Sequence, residues 1–402
     1  MIRPYDALNV VLDNIKPLGA ENIALSCSLD RICLAPVISN RDVPQKDSSA
    51  MDGYAVRKAD LGRLPATLKV LGLIAAGEDV SALSVAPGEC YKIMTGAHVP
   101  KGADTVIEWE LTDSGTDKVI INSLSSMGTN IRPAKDDIAR GEQVDFTGRR
   151  ISPFIISRFA SIGAFFVDVS RKPRVAVIAT GSEIAPHSAY LESEKLLDAN
   201  SPAVTAMLNK EQADVSFLGV VEDSEEALLA VLERASGFDM VVISGGISTG
   251  EFDYMAKIAD RAGINWLFHK IYQKPGKPVA FGFLKNGVPI FALPGNPVSC
   301  MFCAYFYVIP AIRKMSGLAG AAQTFALATL ESDVKRKSGR IQFDRVKLRR
   351  VKGRLYARPF SSQNSNLISS MVDSNAFMEL DDFEGTVKTG EEVKVYIFNN
   401  EF

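Results

Sequence analysis

The sequence predicts an α/β plus β fold of several domains. A mostly parallel α/β domain is flanked by an N-terminal β domain and a C-terminal β-barrel-like domain. Three observations predict this. After Lys172-Pro173, apolar strand-like runs alternate with helix-like segments to about residue 312, as in a parallel sheet covered on both faces. On either side, from about 45 to 145 and from about 325 to 402, the runs are short, β-rich and punctuated by Gly and Pro. At 402 residues, 47% of them hydrophobic, the chain can build roughly two to four domains with separate cores.

Each element follows from its local pattern. Tyr5, Leu8, Val11, Leu12 and Ile15 recur at helical spacing, which predicts a helix over 4–16 stopped by Pro17. Leu68-Lys69-Val70-Leu71, Cys90-Tyr91-Lys92-Ile93-Met94, Thr105-Val106-Ile107 and Lys118-Val119-Ile120-Ile121 read as strands of a small β domain over 45–140. Helical periodicity returns over 151–169 through Phe154, Ile155, Arg158, Phe159 and Ile162. Residues 1–44 and 141–172 are therefore read together as a helical connector region. The α/β domain, 173–322, has strands at 174–179, 215–221, 239–243 and 288–293, and helices at 199–211, 224–235, 252–262 and 297–312. The runs 343–348 and 392–398 mark a compact C-terminal β domain over 323–402.

Composition narrows the function. Lys+Arg 45 against Asp+Glu 47 gives a net charge of -2, so no global basic field points to nucleic acid. The basic cluster from Lys335 to Arg350 reads as a solvated strand face. Five irregularly spaced cysteines suit a reducing compartment. Cys300-x-x-Cys303 has redox or metal spacing, but it lies in an apolar run without a second Cys/His pair and reads as core helix. His98, His187 and His269 are scattered, which argues against a histidine metal site. The N-terminal residues lack an apolar signal core. The longest apolar run, Cys300 to Ile309, is half the ~20 residues that span a bilayer. The expectation is a soluble, cytoplasmic protein without a membrane or nucleic-acid partner.

Three Gly/Pro-rich turns between apolar runs carry the chemistry. Ser244-Gly245-Gly246-Ile247-Ser248-Thr249-Gly250 follows a β-branched strand, and its glycines leave backbone N–H groups open to an anion. Lys274-Pro275-Gly276-Lys277-Pro278 holds two lysines on a turn stiffened by two prolines. Leu293-Pro294-Gly295-Asn296-Pro297-Val298-Ser299 places Asn296 as an N-cap and Pro297 at the first helical position. Amide donors and positive charge at strand ends suit a phosphorylated or oxyanion ligand. Elsewhere, Asp52 before Gly53 reads by default as a turn residue, and Thr95-Gly96-Ala97 is equally ambiguous. Thr180-Gly181-Ser182-Glu183 carries more weight, because it ends the first α/β strand. Asp253 is either a helix cap or a functional carboxylate.

Taken in order, these motifs resemble the MoeA family of molybdopterin molybdenumtransferases, related to the gephyrin E domain. The matching residues are Ser49-Ala50-Met51-Asp52-Gly53-Tyr54-Ala55, Ile93-Met94-Thr95-Gly96-Ala97, Pro100-x-Gly102-Ala103-Asp104, Asn130-Ile131-Arg132-Pro133 with Asp137, Thr180-Gly181-x-Glu183, Asp198-x-Asn200-Ser201, and the three turns with Asp253-Tyr254. The resemblance runs from residue 4 to the C-terminus.

It implies an elongated homodimer that takes adenylylated molybdopterin and molybdate, hydrolyses the adenylate with Mg²⁺, and leaves molybdenum on the pterin dithiolene as AMP departs. Asp52, Thr95 and Asp137 would come from one chain, and Glu183, Asp223, Asp253, Lys274 and Lys277 from its partner. Asp52, Glu183 and Asp253 are the candidate Mg²⁺ ligands. Gly245, Gly246 and Ser248 would hold phosphate. Lys274, Lys277, Pro294, Pro297, Arg345 and Ser365 would surround the oxyanion. Either Asp52 or Glu183 orients the nucleophile. A molybdopterin-adenylylating protein and apo-molybdoenzymes are the implied partners. Departures are Gln45-Lys46 where the family has an aromatic, Lys135-Asp136 beside Asp137, and a turn at 361–365 without glycine. A nucleotide pyrophosphatase and a non-catalytic scaffold are the competing readings, and tungstate competes with molybdate.

Overall fold

The computed structural model describes residues 1–124, 128–185, 194–222, 224–246, 258–336 and 339–400. Its central α/β sheet has the strand order Asp214–Val221, Arg174–Thr180, Met240–Ser244, Pro289–Leu293, Ala280–Phe283, Asn265–Phe268. The first four strands are parallel and the last two antiparallel. Side chains alternate faces along each strand. Val175, Val177, Val242 and Phe291 enter one core, and Ala176, Ile178, Val241 and Ile243 the other. Both faces are buried, which is why these strands read as continuous apolar runs. Each wholly buried Val or Phe contributes about 1.5–3 kcal/mol. Helices Asn200–Lys210 and Glu225–Ala235 and the helical residues 258–262 flank the sheet. The strands 265–268 and 280–283 go beyond the expected four.

The segment Pro297–Met315 is 19 residues long and apolar enough to cross a bilayer. Here it is 83% buried, with Phe302 and Phe306 stacked in the larger core. Its middle, Ala304–Val308, is π-helical. Cys300 and Cys303 are wholly buried in this core helix, and burial pushes both thiols above their ordinary range.

The N-terminal β region is a five-stranded sheet in the order Thr105–Glu108, Gly53–Val56, Glu89–Ile93, Ala66–Ile74, Lys118–Ile121. Gly53 permits the tight pairing beside Asp52, since a Cβ there would sit 2.0 Å from the Ile107 carbonyl oxygen. Residues 1–44 do not act as one unit. Helix Pro4–Asn14 packs Ala7, Leu8 and Val11 into the α/β core, whereas Ala20–Ala24 pairs with Phe166–Ser170. The expected helix over 151–169 is shorter, Pro153–Ser161, capped by the Ser152 hydroxyl. Gly163, at φ 81°, turns the chain, and Phe166–Ser170 then alternates as a strand.

In the C-terminal region, Ile341–Val351, Arg354–Pro359, Ala326–Leu330, Glu392–Ile397 and Ala376–Leu380 pair in sequence around a barrel. The last strand returns to the first, closing it. A short strand of the α/β region, Gln273–Lys274, adds in parallel to Ile341–Val351. This pairing ties the two regions together beside the lysine turn.

Candidate functional site

Where the 274–278 turn meets the barrel, a cleft of about 340 Å³ opens. It is lined by Lys274, Lys277, Ser299, Arg340 and the 363–365 segment, together with the turn's Pro275, Gly276 and Pro278. Among the described residues three cations and no carboxylate line it, so its field favours a compact anion. The loop arriving from the barrel is held in three ways. Arg345, 1% exposed, donates from Nη1 to the Asn364 carbonyl (3.1 Å) and from Nη2 to the Ser362 carbonyl (3.2 Å). Gln363 accepts from the Arg345 amide at 2.9 Å and donates to its carbonyl at 3.0 Å. The Val298 amide, at the start of helix Pro297–Cys303, donates to the Ser365 carbonyl at 3.1 Å. Arg345 therefore sits behind the cleft and shapes it, while Arg340 lines it. The buried Asp344 carboxyl interacts with Lys274, Arg336 and Arg345, and burial pushes its pKa up against their charge.

A second cluster forms at the carboxyl ends of the parallel strands. Gly245 and Gly246 have φ of 93° and 68°, and a Cβ on Gly245 would lie 2.3 Å from the Thr180 carbonyl oxygen. Only glycine satisfies both the left-handed turn and the close approach. Nearby, Asn200 donates to the Gly295 carbonyl at 2.8 Å, and Asp198 caps the amides of Asn200 and Ser201 at 3.1 and 3.0 Å. Among the described residues, Thr180 Oγ1, Asn200 Oδ1 and Ser201 Oγ are buried without a partner. Buried polar atoms are nearly always satisfied, so three at one sheet edge mark where a ligand or water completes them. Glu183 is exposed at this edge.

Of the other predicted residues, Asp52, Thr95 and Asp137 belong to the N-terminal region, while Pro294 and Pro297 flank Gly295 at the second cluster. Asp52 Oδ1 accepts from the Thr95 amide (2.7 Å) and hydroxyl (2.8 Å), and these bonds hold its pKa below the ordinary carboxylate value. Asp137 is exposed and pairs with Arg158 of helix Pro153–Ser161. Pro294 is buried at the end of strand Pro289–Leu293, and Pro297 opens the next helix; neither lines the cleft. Asn296 occupies the N-cap position without a side-chain capping bond. Asp223, Ser248 and Asp253 lie outside the described residues. Thr180, Asn200, Ser201 and Ser299 stand within the motifs that the sequence singles out but receive no role of their own there, and sequence reasoning misses Arg340, Gln363 and Asn364 as site residues. Among the described residues, no group of three or more His, Cys, Asp or Glu side chains is placed to hold a metal ion.

Comparison with known proteins agrees along the chain. Residues 2–163 match the MoeA N-terminal region (domain I and II), 176–314 a probable molybdopterin binding domain, and 328–398 the MoeA C-terminal region (domain IV). A molybdopterin molybdenumtransferase of Haemophilus influenzae is 35% identical, with 96% of this chain and 95% of that protein aligned. One from Bacillus subtilis is 30% identical over 95% and 90%. Two structures of the molybdopterin biosynthesis MoeA protein from Pyrococcus horikoshii superpose with a TM-score of 0.84. They are 32% and 28% identical, covering 100% and 99% of this chain and all of theirs.

Proposed function

The chain belongs to the MoeA family of molybdopterin molybdenumtransferases, and we propose that its three-cation cleft receives the molybdate it transfers. It is an enzyme of molybdenum cofactor biosynthesis that inserts molybdenum into molybdopterin. The carrying observation is the convergence of Lys274, Lys277 and Arg340 with the Ser365 loop, without an acidic lining residue among the described residues. Charge-assisted hydrogen bonds from these groups suit a tetrahedral dianion. Tungstate has the same charge and shape, so it is the natural competitor.

In this reading the pterin is delivered as its adenylate. Water attacks the pyrophosphate link, the P–O bond breaks and AMP leaves with the bridging oxygen. As the two dithiolene sulfurs bind molybdenum, one Mo–O bond breaks and that oxygen departs as water with the two thiol protons, the metal's oxidation state unchanged. The Gly245-Gly246 turn, with Thr180, Asn200 and Ser201 beside it, binds the phosphorylated substrate, and Ser248, two residues on in the sequence, is assigned to the same task. Asp52 fits a hard cation, because its two hydrogen bonds favour the ionised form and its Oδ2 carries no hydrogen bond from the described residues. Asp52 and Glu183, with Asp253, would hold Mg²⁺, which when bound neutralises phosphate charge. Asp52 or Glu183 orients the attacking water, and Thr95 fixes the Asp52 rotamer. Asp137 and Asp223 complete the acidic set.

Asp52 and Glu183 sit in different regions, so the reading includes a homodimer in which one chain's β domain faces its partner's α/β domain. Support comes from an exposed aromatic set on the connector, Phe154, Phe165 and Phe166, at 86%, 77% and 63% exposure. A cytoplasmic location, an adenylylating partner and apo-molybdoenzyme acceptors belong to the same proposal.

The test is turnover of adenylylated molybdopterin with Mg²⁺, with and without molybdate, following AMP and the activity of an added apo-molybdoenzyme. AMP release coupled to reconstitution supports the proposal. AMP release without transfer favours a pyrophosphatase, and binding without either signal favours a scaffold.

A further inference from the structure

The Cys300-x-x-Cys303 helix touches the lysine turn from behind. Gln273, Cys303 and Tyr307 are all wholly buried. The Tyr307 hydroxyl donates to Gln273 Oε1. Gln273 Nε2 donates to the Gly276 carbonyl at 3.1 Å and lies 3.7 Å from Cys303 Sγ, which is itself 3.8 Å from that carbonyl. The main chain joins the same set. The Gln273 carbonyl accepts from Arg340 Nη1 at 3.4 Å, and the Ile271 amide donates to the Lys277 carbonyl at 3.0 Å. Gly276, at φ 82°, fits against the sulfur so closely that a Cβ would sit 2.3 Å from it.

We infer that Gln273 and Tyr307 are positioning residues that, packed against the Cys303 sulfur, fix the 274–278 turn and thereby aim Lys274 and Lys277 into the oxyanion cleft. The inference rests on the oxyanion reading of that cleft. Three apolar side chains would fill this core without the cost of burying polar atoms. Instead, donors on strand and helix converge on the one carbonyl at the apex of the turn, and each polar group is satisfied, which rigidifies such a network. Tyr307 also stands in a π-helical stretch, a rare form that concentrates at functional sites. The Cys-x-x-Cys spacing thus gives the turn a backing surface, and the buried thiol stays protonated as a weak donor.

Steady-state kinetics in molybdate with the full chain test this. Tyr307→Phe keeps the ring and removes one hydrogen bond. It should raise the KM for molybdate about five- to tenfold, with kcat at saturation within about twofold, and lower the melting temperature by a few degrees, because Gln273 Oε1 is left buried without its donor. Gly276→Ala should raise KM more than about tenfold. The double variant Gly276→Ala/Cys303→Ala removes the sulfur that the new Cβ would strike, so it should recover part of that loss. Cys303→Ala alone should change KM by less than about threefold. A wild-type KM for Tyr307→Phe, or a double variant no better than Gly276→Ala, overturns the inference. Lys277→Ala separates the two levels. If it raises KM while the positioning variants do not, only the positioning role fails. If it too leaves KM unchanged, the oxyanion reading of the cleft fails and takes the inference with it.

Discussion

Glu211 offers a quantitative test of how the connector is held against the α/β region. It follows helix Asn200–Lys210 at its C-cap, where the helix dipole disfavours a carboxylate. Two arginines compensate. Arg313 donates from Nε at 3.1 Å and Nη2 at 2.7 Å, and Arg150, from the connector, donates from Nη2 at 2.8 Å. The Glu211 side chain is only 10% exposed. Three charge-assisted bonds at about 1.5 kcal/mol each sum to about 4.5 kcal/mol. Breaking a buried ion pair costs about 3–5 kcal/mol by a separate route, so Glu211→Ala should cost about 4 kcal/mol. Glu211→Gln keeps an acceptor and should cost about 3 kcal/mol.

Burial alone would raise the Glu211 pKa, but the hydrogen bonds and charge of Arg313 and Arg150 outweigh it and hold it below the ordinary value. A depressed folded pKa means the unfolded chain binds more protons as pH falls. The Glu211 contribution is therefore complete above an unfolded pKa of about 4.3 and is lost as pH falls through the folded value. Urea denaturation can be followed at Trp266 in a Trp109→Phe background, which leaves one tryptophan, on strand Asn265–Phe268, to be excited selectively. A loss below about 1 kcal/mol for Glu211→Ala, or an unchanged acid dependence in Glu211→Gln, would refute the clasp.

Other expectations follow from the clusters. Lys274→Ala and Lys277→Ala should each weaken molybdate binding about ten- to a hundredfold by calorimetry, through loss of a charged donor. Arg340→Ala should weaken molybdate binding similarly at near-normal stability, whereas Arg345→Ala should lower stability first, because its guanidinium braces buried carbonyls. Asp52→Asn should reduce turnover about a hundredfold or more. Thr95→Val removes one of the bonds that depress the Asp52 pKa, so the acid limb of the rate profile should move to higher pH. Phe154→Asp with Phe165→Asp should convert a dimer to a monomer by sedimentation, with a matching loss of turnover.

How far the sequence discloses this molecule depends on whether neighbours in space are neighbours in the chain. The parallel strands are legible because burial on both faces leaves an uninterrupted apolar run. The edge hairpin Asn265–Phe268 with Ala280–Phe283 is not. Its strands flank the 274–278 turn, and Gly282, which reads as a loop signal, is a strand residue whose Cβ would strike the Asn265 carbonyl oxygen at 2.2 Å. Phe166–Ser170 is hidden in the same way, because a helical period from the preceding element runs into it.

The lysines of the cleft announce themselves as charges on a stiff turn. Their counterparts arrive from the barrel, and no spacing in the chain encodes that meeting. Choosing between Arg340 and Arg345 requires knowing which side chain faces the cleft and which turns to the carbonyls behind it. That choice is settled by the parallel pairing of Gln273–Lys274 with Ile341–Val351, a contact between two regions that each read as independent. Residues whose role is to aim others, such as Gln273 and Tyr307, look like ordinary core positions in one dimension. They become legible only when the carbonyl they serve is seen to belong to the turn that carries the charge.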